Sequence, residues 1–402
     1  MQNHFKKLAR TLHPARLSAL ATYLLKDEAI SGKLILAATF LALVAVNTGL
    51  RHPYENIWDT NLSIGIGDWL LTKDLRGWIN EGLMAVFFLV VGLELKRELA
   101  KGELRKFKTA SLPFAAALGG MALPALLYAA LNNGTASAAG WAIPMATDIA
   151  FAVAILAFVG KGIPASIRLF LLTLAIVDDI GAVIVIAVFY SHGIHLSLLI
   201  LVVGVAILLG LLHKMQRLTL PLFVVAGILI WLLVDASGVH ASIAGALIGL
   251  LAPLTEPRPK IKSIAERLEH AMIPLSTLVI VPLFAFANTG VALSLGGLHG
   301  EGVGYLATGI IVGLVVGKVM GIFGASWLMV KLRFADLPAG ASWNHILGVG
   351  LLAGIGFTVS IFVTNLAFSD EQLINAAKLS VFIASVISGI LGVVALRSFR
   401  KH

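Results

Sequence analysis

The sequence lacks cysteine entirely and is poor in charged residues. Without cysteine among its 402 residues, the chain has no disulfides, no thiolate nucleophile and no cysteine-ligated metal or cluster. Charged residues make up 13% of the chain, against about 25% in soluble proteins, which excludes an ordinary water-soluble enzyme. A hydrophobic fraction of 58% likewise excludes intrinsic disorder.

The sequence contains many long apolar stretches. A helix needs about 20 mainly apolar residues to cross a bilayer, and twelve such stretches occur. They are 33–50, 80–97, 110–131, 140–160, 165–190, 196–212, 219–235, 239–254, 271–290, 303–330, 343–368 and 374–396. The sequence therefore predicts an all-α polytopic membrane protein with about 12 transmembrane helices, forming one integral domain over 1–402.

The basic residues are distributed very unevenly between the two sides of this topology. With alternating segments, 25 of the 30 Lys and Arg fall on the side of the N-terminus. Four fall on the opposite side, namely Arg51, Lys73, Arg76 and Lys378. Cytoplasmic loops carry such an excess, so both termini are expected in the cytoplasm. The net charge of +9 thus reflects membrane topology, with the lipid bilayer as partner, rather than nucleic-acid binding.

Two segments outside the apolar stretches have their own patterns. Residues 1–32 contain a short apolar run without a convincing cleavage site, and we expect an amphipathic cytoplasmic segment there. Residues 51–79 form the longest outer loop. Polar or small residues alternate with apolar ones over 61–67, which suits a strand. A small outer β-hairpin and a plain linker are both compatible with this pattern.

Four charged residues lie deep inside the apolar stretches, far from either end: Asp148, Asp178, Asp179 and Lys318. A charge at this depth costs about 2.5–3.5 kcal/mol on insertion scales, so it generally has a partner or a function. Lys318 precedes Lys331 by 13 residues, roughly 20 Å along a helix. That is too far for its side chain to reach the headgroups, so we expect Lys318 to face a cavity or a carboxylate.

The neighbouring Asp178 and Asp179 occupy a helix interior rather than a turn. Adjacent helical residues point about 100° apart, so the two can serve different purposes. Two carboxylates in a poorly solvated place can exchange a proton for a cation, and their oxygens suit hard ions such as Na⁺ or Li⁺. A purely structural role, as in helix capping, is the alternative.

Two apolar stretches contain potential helix breaks. Pro144 precedes Thr147 and Asp148, and a proline tends to interrupt helical hydrogen bonding. Asp148 then either compensates the exposed helix ends or binds the ion directly, and we favour compensation. Glycines in the second stretch precede Thr358, at 348, 350, 354 and 356. Close helix packing would also explain these glycines.

The two candidate breaks occupy equivalent places in two helix triplets. The triplets 110–190 and 303–396 start on opposite sides of the membrane, which is the arrangement of inverted-topology repeats with a site at their interface. We therefore expect the two broken helices to cross near the bilayer midplane. Residues 196–290 would supply the remaining helices of a second, interface bundle.

Long ordered motifs give the chain a family resemblance. They are EGLMAVFF at 81–88, GLELKRE at 92–98, PMATDIAF at 144–151, LAIVDD at 174–179, SGVH at 237–240, PLFAFAN at 282–288 and GIGFT at 354–358. The chain resembles the NhaA-type bacterial sodium/proton antiporters over nearly its whole length. Inverted repeats are a known feature of this family, so that expectation is not independent of the resemblance. One departure is Glu81, where better-known members have aspartate.

The resemblance implies an electrogenic antiporter of the bacterial cytoplasmic membrane, neither an enzyme nor cofactor-dependent. It implies exchange of one Na⁺ or Li⁺ outward for about two protons inward, with higher activity at alkaline pH. Asp179 would be the main cation ligand, Asp178 would pair with Lys318, and Thr147 and Asp148 would flank the site. Candidate pH-sensing residues are Glu94, Arg97, Glu98, Glu266, Glu269 and His270, for which a solvated charged face is the alternative. The outer hairpin would mediate a homodimer, without soluble protein partners.

Other functions share parts of this pattern. A retinal-type pump also uses a buried lysine and aspartates, but predicts seven helices and a visible absorption band. An intramembrane aspartyl protease needs two aspartates on different helices and gives Lys318 no role. A sodium-coupled solute symporter also has broken helices, but predicts uptake of an organic solute, and it is the main alternative.

Overall fold

The chain is almost entirely helical in the computed structural model. The structure describes residues 30–66, 69–105, 107–160, 162–191, 193–255, 262–293 and 303–398. Most of the predicted amphipathic segment 1–32 therefore lies outside the described residues.

Fourteen helical elements and two strands are named below in chain order. They are α1 (Ile30–Val46), α2 (Arg51–Trp58), β1 (Asn61–Ile66), β2 (Trp69–Asp74), α3 (Leu75–Lys101), α4 (Phe107–Asn132), α5 (Ala138–Val159), α6 (Ala165–Phe189), α7 (Leu196–Lys214), α8 (Leu220–Ala236), α9 (Ala241–Leu251), α10 (Ile264–Asn288), α11 (Val303–Lys331), α12 (Trp343–Ala353), α13 (Phe357–Ala367) and α14 (Glu371–Ser398).

The helices include many that are long and apolar enough to cross a membrane. Within the described residues eight single helices qualify, or up to ten if two bent pairs each form one span. These pairs are α1 with α2, bent by 118°, and α12 with α13, bent by 45°. The apolar helices α8 and α9 are shorter, with 17 and 11 residues. Every predicted stretch contains a helix, but the count of about twelve spans stays a prediction.

The predicted hairpin is confirmed as a two-stranded antiparallel sheet. Strands β1 and β2 pair from Asn61 with Asp74 to Ile66 with Trp69. The first part of the predicted 51–79 loop is instead helical, since α2 precedes the hairpin.

An ion-pair cluster fixes the base of this hairpin. Lys73 of β2 pairs with Glu81 of α3 and, at 2.7 Å, with Asp235 of α8. Burial by itself would lower the pKa of Lys73, but the hydrogen bonds to Asp235 and Glu81 outweigh burial and raise it. The hairpin is therefore tied to two helices rather than joined only through the chain.

Glycines allow the helices around the candidate site to approach each other closely. A side chain at Gly119 of α4 would meet the backbone of Gly321 in α11. Lys318 lies almost one turn before Gly321 on the same helix, and its aliphatic stem passes Gly120. This close crossing carries the lysine into the interior of the bundle.

Helical hydrogen bonding is interrupted in two places. In α5, a 3₁₀ turn Ala138–Met145 is followed by three non-helical residues before the α-helix Ile149–Val159 begins. Between α12 and α13 the helix stops at Ala353 and restarts at Phe357. A side chain at Gly356 would come within 3.1 Å of the Ala146 carbonyl oxygen, so glycine lets the interruptions touch. Inverted repeats and a crossing at the bilayer midplane stay predictions.

Candidate cation-binding site

The centre of the candidate site is a buried ion pair between α6 and α11. Lys318 Nζ lies 2.5 Å from Asp178 Oδ2, and both side chains are 0% exposed. Burying such a pair costs desolvation energy, which attraction offsets only when the geometry is good. Asp178 is thus the carboxylate that Lys318 faces.

Thr147, in the interruption of α5, extends this pair. Its hydroxyl oxygen lies 2.6 Å from Asp178 Oδ2 and 2.9 Å from the carbonyl oxygen of Ala353 at the end of α12. A hydroxyl has a single proton, so Thr147 donates to one of these acceptors at a time. The threonine therefore connects the charged pair to both interruptions.

Asp148 joins the two interruptions directly. Its backbone N–H donates to the Ile355 carbonyl at 2.6 Å. Its Oδ1 accepts from the Phe151 amide at 3.2 Å, and its Oδ2 accepts from the Thr358 amide at 3.0 Å and from the Thr358 hydroxyl. The carboxylate therefore lies at the N-terminal ends of two helices, where a negative charge is favourable. The compensating role that we favoured for Asp148 from the sequence stays a prediction.

Asp179 follows Asp178 on α6 and is 2% exposed. Among the described residues, neither Asp179 Oδ2 nor Asp178 Oδ1 has a hydrogen-bond partner. A buried carboxylate oxygen without a partner is costly and calls for an explanation. Asp148 and Glu94 are close enough to Asp179 to interact with it electrostatically. The site thus offers two free hard oxygens among several carboxylates.

Within the described ranges, no group of three or more His, Asp or Glu side chains is arranged as metal ligands. The two unpartnered oxygens instead suit a small hard cation, which would complete its coordination with water or backbone carbonyls.

The candidate pH-sensing residues largely come together between α3 and α10. Arg97 pairs with Glu269, and Lys101 lies 3.4 Å from Glu266. Glu94 interacts electrostatically with Arg97, Glu98 and Glu269, and also with Asp179. The candidates therefore extend from the helix ends toward the ion pair. His270 is exposed, and no contact with the others is found among the described residues.

The structure also adds polar residues that sequence reasoning left unassigned. Thr358 was named only as the residue after the second candidate break and as part of a motif, whereas the structure shows that it donates two hydrogen bonds to Asp148. Asn288 of α10 hydrogen bonds with Asn80 of α3 at 2.8 Å and accepts from Asn365 of α13 at 2.8 Å. Lys378, assigned to the outer side, lies inside α14 and is 7% exposed.

His240, the last residue of the motif at 237–240, lies at the start of α9. It directly precedes α9, and its Nε2 lies 2.9 Å from the carbonyl oxygen of Tyr190 at the end of α6.

Comparisons with known proteins give consistent results. A family model described as Na⁺/H⁺ antiporter 1 matches residues 22–396. The Na⁺/H⁺ antiporter NhaA 2 of Clostridium beijerinckii is 43% identical over 376 residues, covering 93% of each chain. The NhaA antiporter of Rhodospirillum rubrum is 44% identical over 397 residues, 96% of this chain and 98% of the relative. The NhaA antiporter of Pseudomonas putida is 44% identical over 378 residues, covering 93% and 96%.

Proposed function

Because this chain belongs to the Na⁺/H⁺ antiporter 1 family, we propose that it exports Na⁺ or Li⁺ in exchange for a larger number of protons, by alternating access at the Asp178–Asp179 site. The buried Lys318–Asp178 pair beside Asp179 is the observation that supports this proposal most strongly. The Lys318 ammonium, its counter-ion Asp178 and the neighbouring carboxylate of Asp179 are buried together.

Protons and Na⁺ compete for the same oxygens in this mechanism. Asp179 Oδ2 and Asp178 Oδ1 lack hydrogen-bond partners among the described residues. A cation can therefore bind these oxygens without first breaking a hydrogen bond. A bound proton neutralises the same carboxylates and excludes the metal ion. Asp179 serves as the main ligand, since Asp178 already shares its other oxygen with Lys318 and Thr147.

In this mechanism, the interrupted helices are the part of the protein that moves during transport. Thr147 has two acceptors within reach, Asp178 and the Ala353 carbonyl, and it changes between them when Asp178 changes its charge. Asp148 holds the two interruptions together, so they move as one body. Rocking of this body against the remaining helices exposes the loaded site to one side at a time.

An uneven exchange moves net charge across the membrane. Two protons for each Na⁺ carry one net charge inward, which draws about 2.3 kcal/mol from each 100 mV of membrane potential. The membrane potential then supplements the proton gradient in sodium export.

Alkaline activation is assigned to the charged cluster between α3 and α10. The Arg97–Glu269 pair bridges the two helices, and Glu94 connects it electrostatically to Asp179. A change of protonation there alters both the helix contact and the field at the site.

The chain's surroundings follow from the same proposal. We place it in the cytoplasmic membrane of a bacterium with both termini inside, as a homodimer formed through the hairpin. Leu62 and Ile64 lie on the same face of the hairpin and are exposed, so they offer an apolar surface for this contact. Replacing both with serine should convert the dimer to monomer in light scattering, whereas an unchanged dimer would contradict this contact.

The transport proposal is tested in proteoliposomes that contain a pH-sensitive dye and a preset proton gradient. NaCl or LiCl, added at alkaline pH, should collapse the gradient, and KCl should not. Asp179→Asn should abolish the response. Asp370→Asn is the matched control, because Asp370 is exposed and caps the start of α14. Its side chain accepts hydrogen bonds from two backbone amides at 2.8 and 3.0 Å.

Two results would contradict the proposal. A normal response from Asp179→Asn would remove the assigned ligand. A folded wild type without response to any cation would instead favour the sodium-coupled solute symporter, which a screen of organic solutes would then examine.

A further inference from the structure

A groove of about 500 Å³ lies between α1, α5 and α14, on a different part of the molecule from the ion pair. Its floor is one face of α14, where lining residues recur every three or four positions from Phe382 to Val394. Twelve helical residues span about 18 Å, and one leaflet of the hydrocarbon core is about 15 Å thick. The groove therefore has the length and the apolar surface of a site for one lipid acyl chain.

One basic side chain lines the groove, and another stands at one end of it. Lys33 of α1 is part of its lining. Arg397 follows Val394 by three residues, so it continues the same face of α14. Its guanidinium lies over the ring of Phe158, which also lines the groove, at 5.1 Å from the ring centre. Both basic residues are exposed, so an anionic headgroup at the groove would meet positive charge.

The other end of the groove reaches the interrupted helices. Ile355 and Phe357 line it there. The carbonyl of Ile355 accepts the backbone hydrogen bond of Asp148, and Phe357 packs edge-on against Phe151 at 5.0 Å between ring centres. A molecule filling the groove would therefore contact the residues that connect the two interruptions.

A glycine in the floor keeps this part of the groove open. A Cβ atom at Gly389 would stand only 3.3 Å from Ile155 Cδ1 and 3.7 Å from Ile355 Cδ1. Ile155 and Ile355 belong to the groove lining as well. Larger side chains on this turn would close the space between α14 and the interruptions.

We propose that this groove binds an anionic phospholipid, with an acyl chain along α14 and the phosphate between Lys33 and Arg397, and that the bound lipid stabilises the arrangement of the interrupted helices. The charge at the mouth selects an anionic headgroup over a zwitterionic one. The apolar floor and its length select an acyl chain. This proposal requires only that the chain spans a membrane, whichever ion it carries.

Native mass spectrometry of the purified protein tests the binding directly. Phosphatidylglycerol and phosphatidylcholine with identical acyl chains are titrated in parallel, so only the headgroup differs. Each basic residue near a membrane surface strengthens anionic binding by a factor of about five. Wild type should therefore retain phosphatidylglycerol about 25-fold more tightly than phosphatidylcholine, and Lys33→Gln/Arg397→Gln should remove this preference.

The matched control is Lys331→Gln at the end of α11. Lys331 also stands over an aromatic ring, that of Trp327 at 4.4 Å, but neither residue lines the groove. This variant should keep the preference. An equal loss in Lys331→Gln would overturn the proposal, because it would show general surface attraction. Equal retention of both lipids by wild type would overturn it too.

A second variant separates the groove from its charged mouth. Ile390 lines the groove and is 60% exposed, so Ile390→Trp fills the space without disturbing the interior. It should lower retention of both lipids, whereas Val225→Trp, equally lipid-facing on α8 at 63% exposure, should not. Unchanged retention in Ile390→Trp would contradict the assigned place of the acyl chain.

The effect on the helices is measured by thermal unfolding in detergent. Added phosphatidylglycerol should raise the midpoint of wild type and leave that of Lys33→Gln/Arg397→Gln unchanged. Equal stabilisation of both proteins would overturn the proposed coupling to the interrupted helices. These measurements do not involve transport, so they stand or fall separately from the proposed exchange of ions.

Discussion

Replacing Lys318 with methionine removes the cation from a pair in which both side chains are completely buried. The carboxylate of Asp178 then stays in the interior without its counter-ion. Breaking a buried pair on one side costs about 3–5 kcal/mol. The Thr147 hydroxyl, 2.6 Å from Asp178, donates to it in both proteins and so does not change this difference. We therefore expect Lys318→Met to lower the free energy of unfolding by about 3–5 kcal/mol.

The double variant Asp178→Asn/Lys318→Met supplies the internal comparison. It removes both charges, so no uncompensated ion remains buried, and it should recover more than half of the loss. Thermal unfolding of the purified proteins in one detergent measures all three. A Lys318→Met protein that melts with wild type would refute the reasoning. A double variant that is less stable than Lys318→Met would refute it too.

Three further predictions concern contacts around the site and the hairpin. Thr358→Val removes the hydroxyl that donates to Asp148, and it should lower the free energy of unfolding by about 1–3 kcal/mol and slow transport. Unchanged thermal stability would show that the hydrogen bond from the Thr358 backbone amide is sufficient. Lys73→Gln should destabilise the protein by a constant amount up to about pH 10, because the raised pKa of Lys73 keeps it charged. The difference should vanish as pH rises through that pKa, and a difference persisting above it would contradict the ion-pair account. Arg97→Gln breaks the pair with Glu269 and should shift the pH profile of transport with little change in its maximum, as dye measurements across pH would show.

The sequence was informative where local pattern determines structure. Apolar stretches of sufficient length predicted the helices, because a bilayer leaves no other partner for the backbone groups. The alternation over 61–67 indicated a strand, because side chains in a strand have a two-residue period, and the structure has strand β1 of the hairpin there. The depth of Lys318 within its stretch predicted a partner, although the identity of that partner followed from family resemblance.

Contacts between distant parts of the chain were harder to predict from the sequence than the helices and the hairpin. Thr358 holds Asp148 across 210 residues, and nothing in either local pattern indicates that the two meet. Lys378 was counted with the outer loops, whereas it lies inside the helix α14, and its side of the membrane stays a prediction. The span count stays open because α9 has only 11 residues, fewer than a bilayer crossing needs.

Competition between Na⁺ and protons at Asp178 and Asp179 is the central claim, and calorimetry of Na⁺ binding tests it most directly. Titrations of the purified protein in two buffers with different ionisation enthalpies count the protons released for each bound ion. Binding with proton release in wild type, and no binding by Asp179→Asn, is the predicted result. Na⁺ binding that releases no protons, or that survives in Asp179→Asn, would contradict the account.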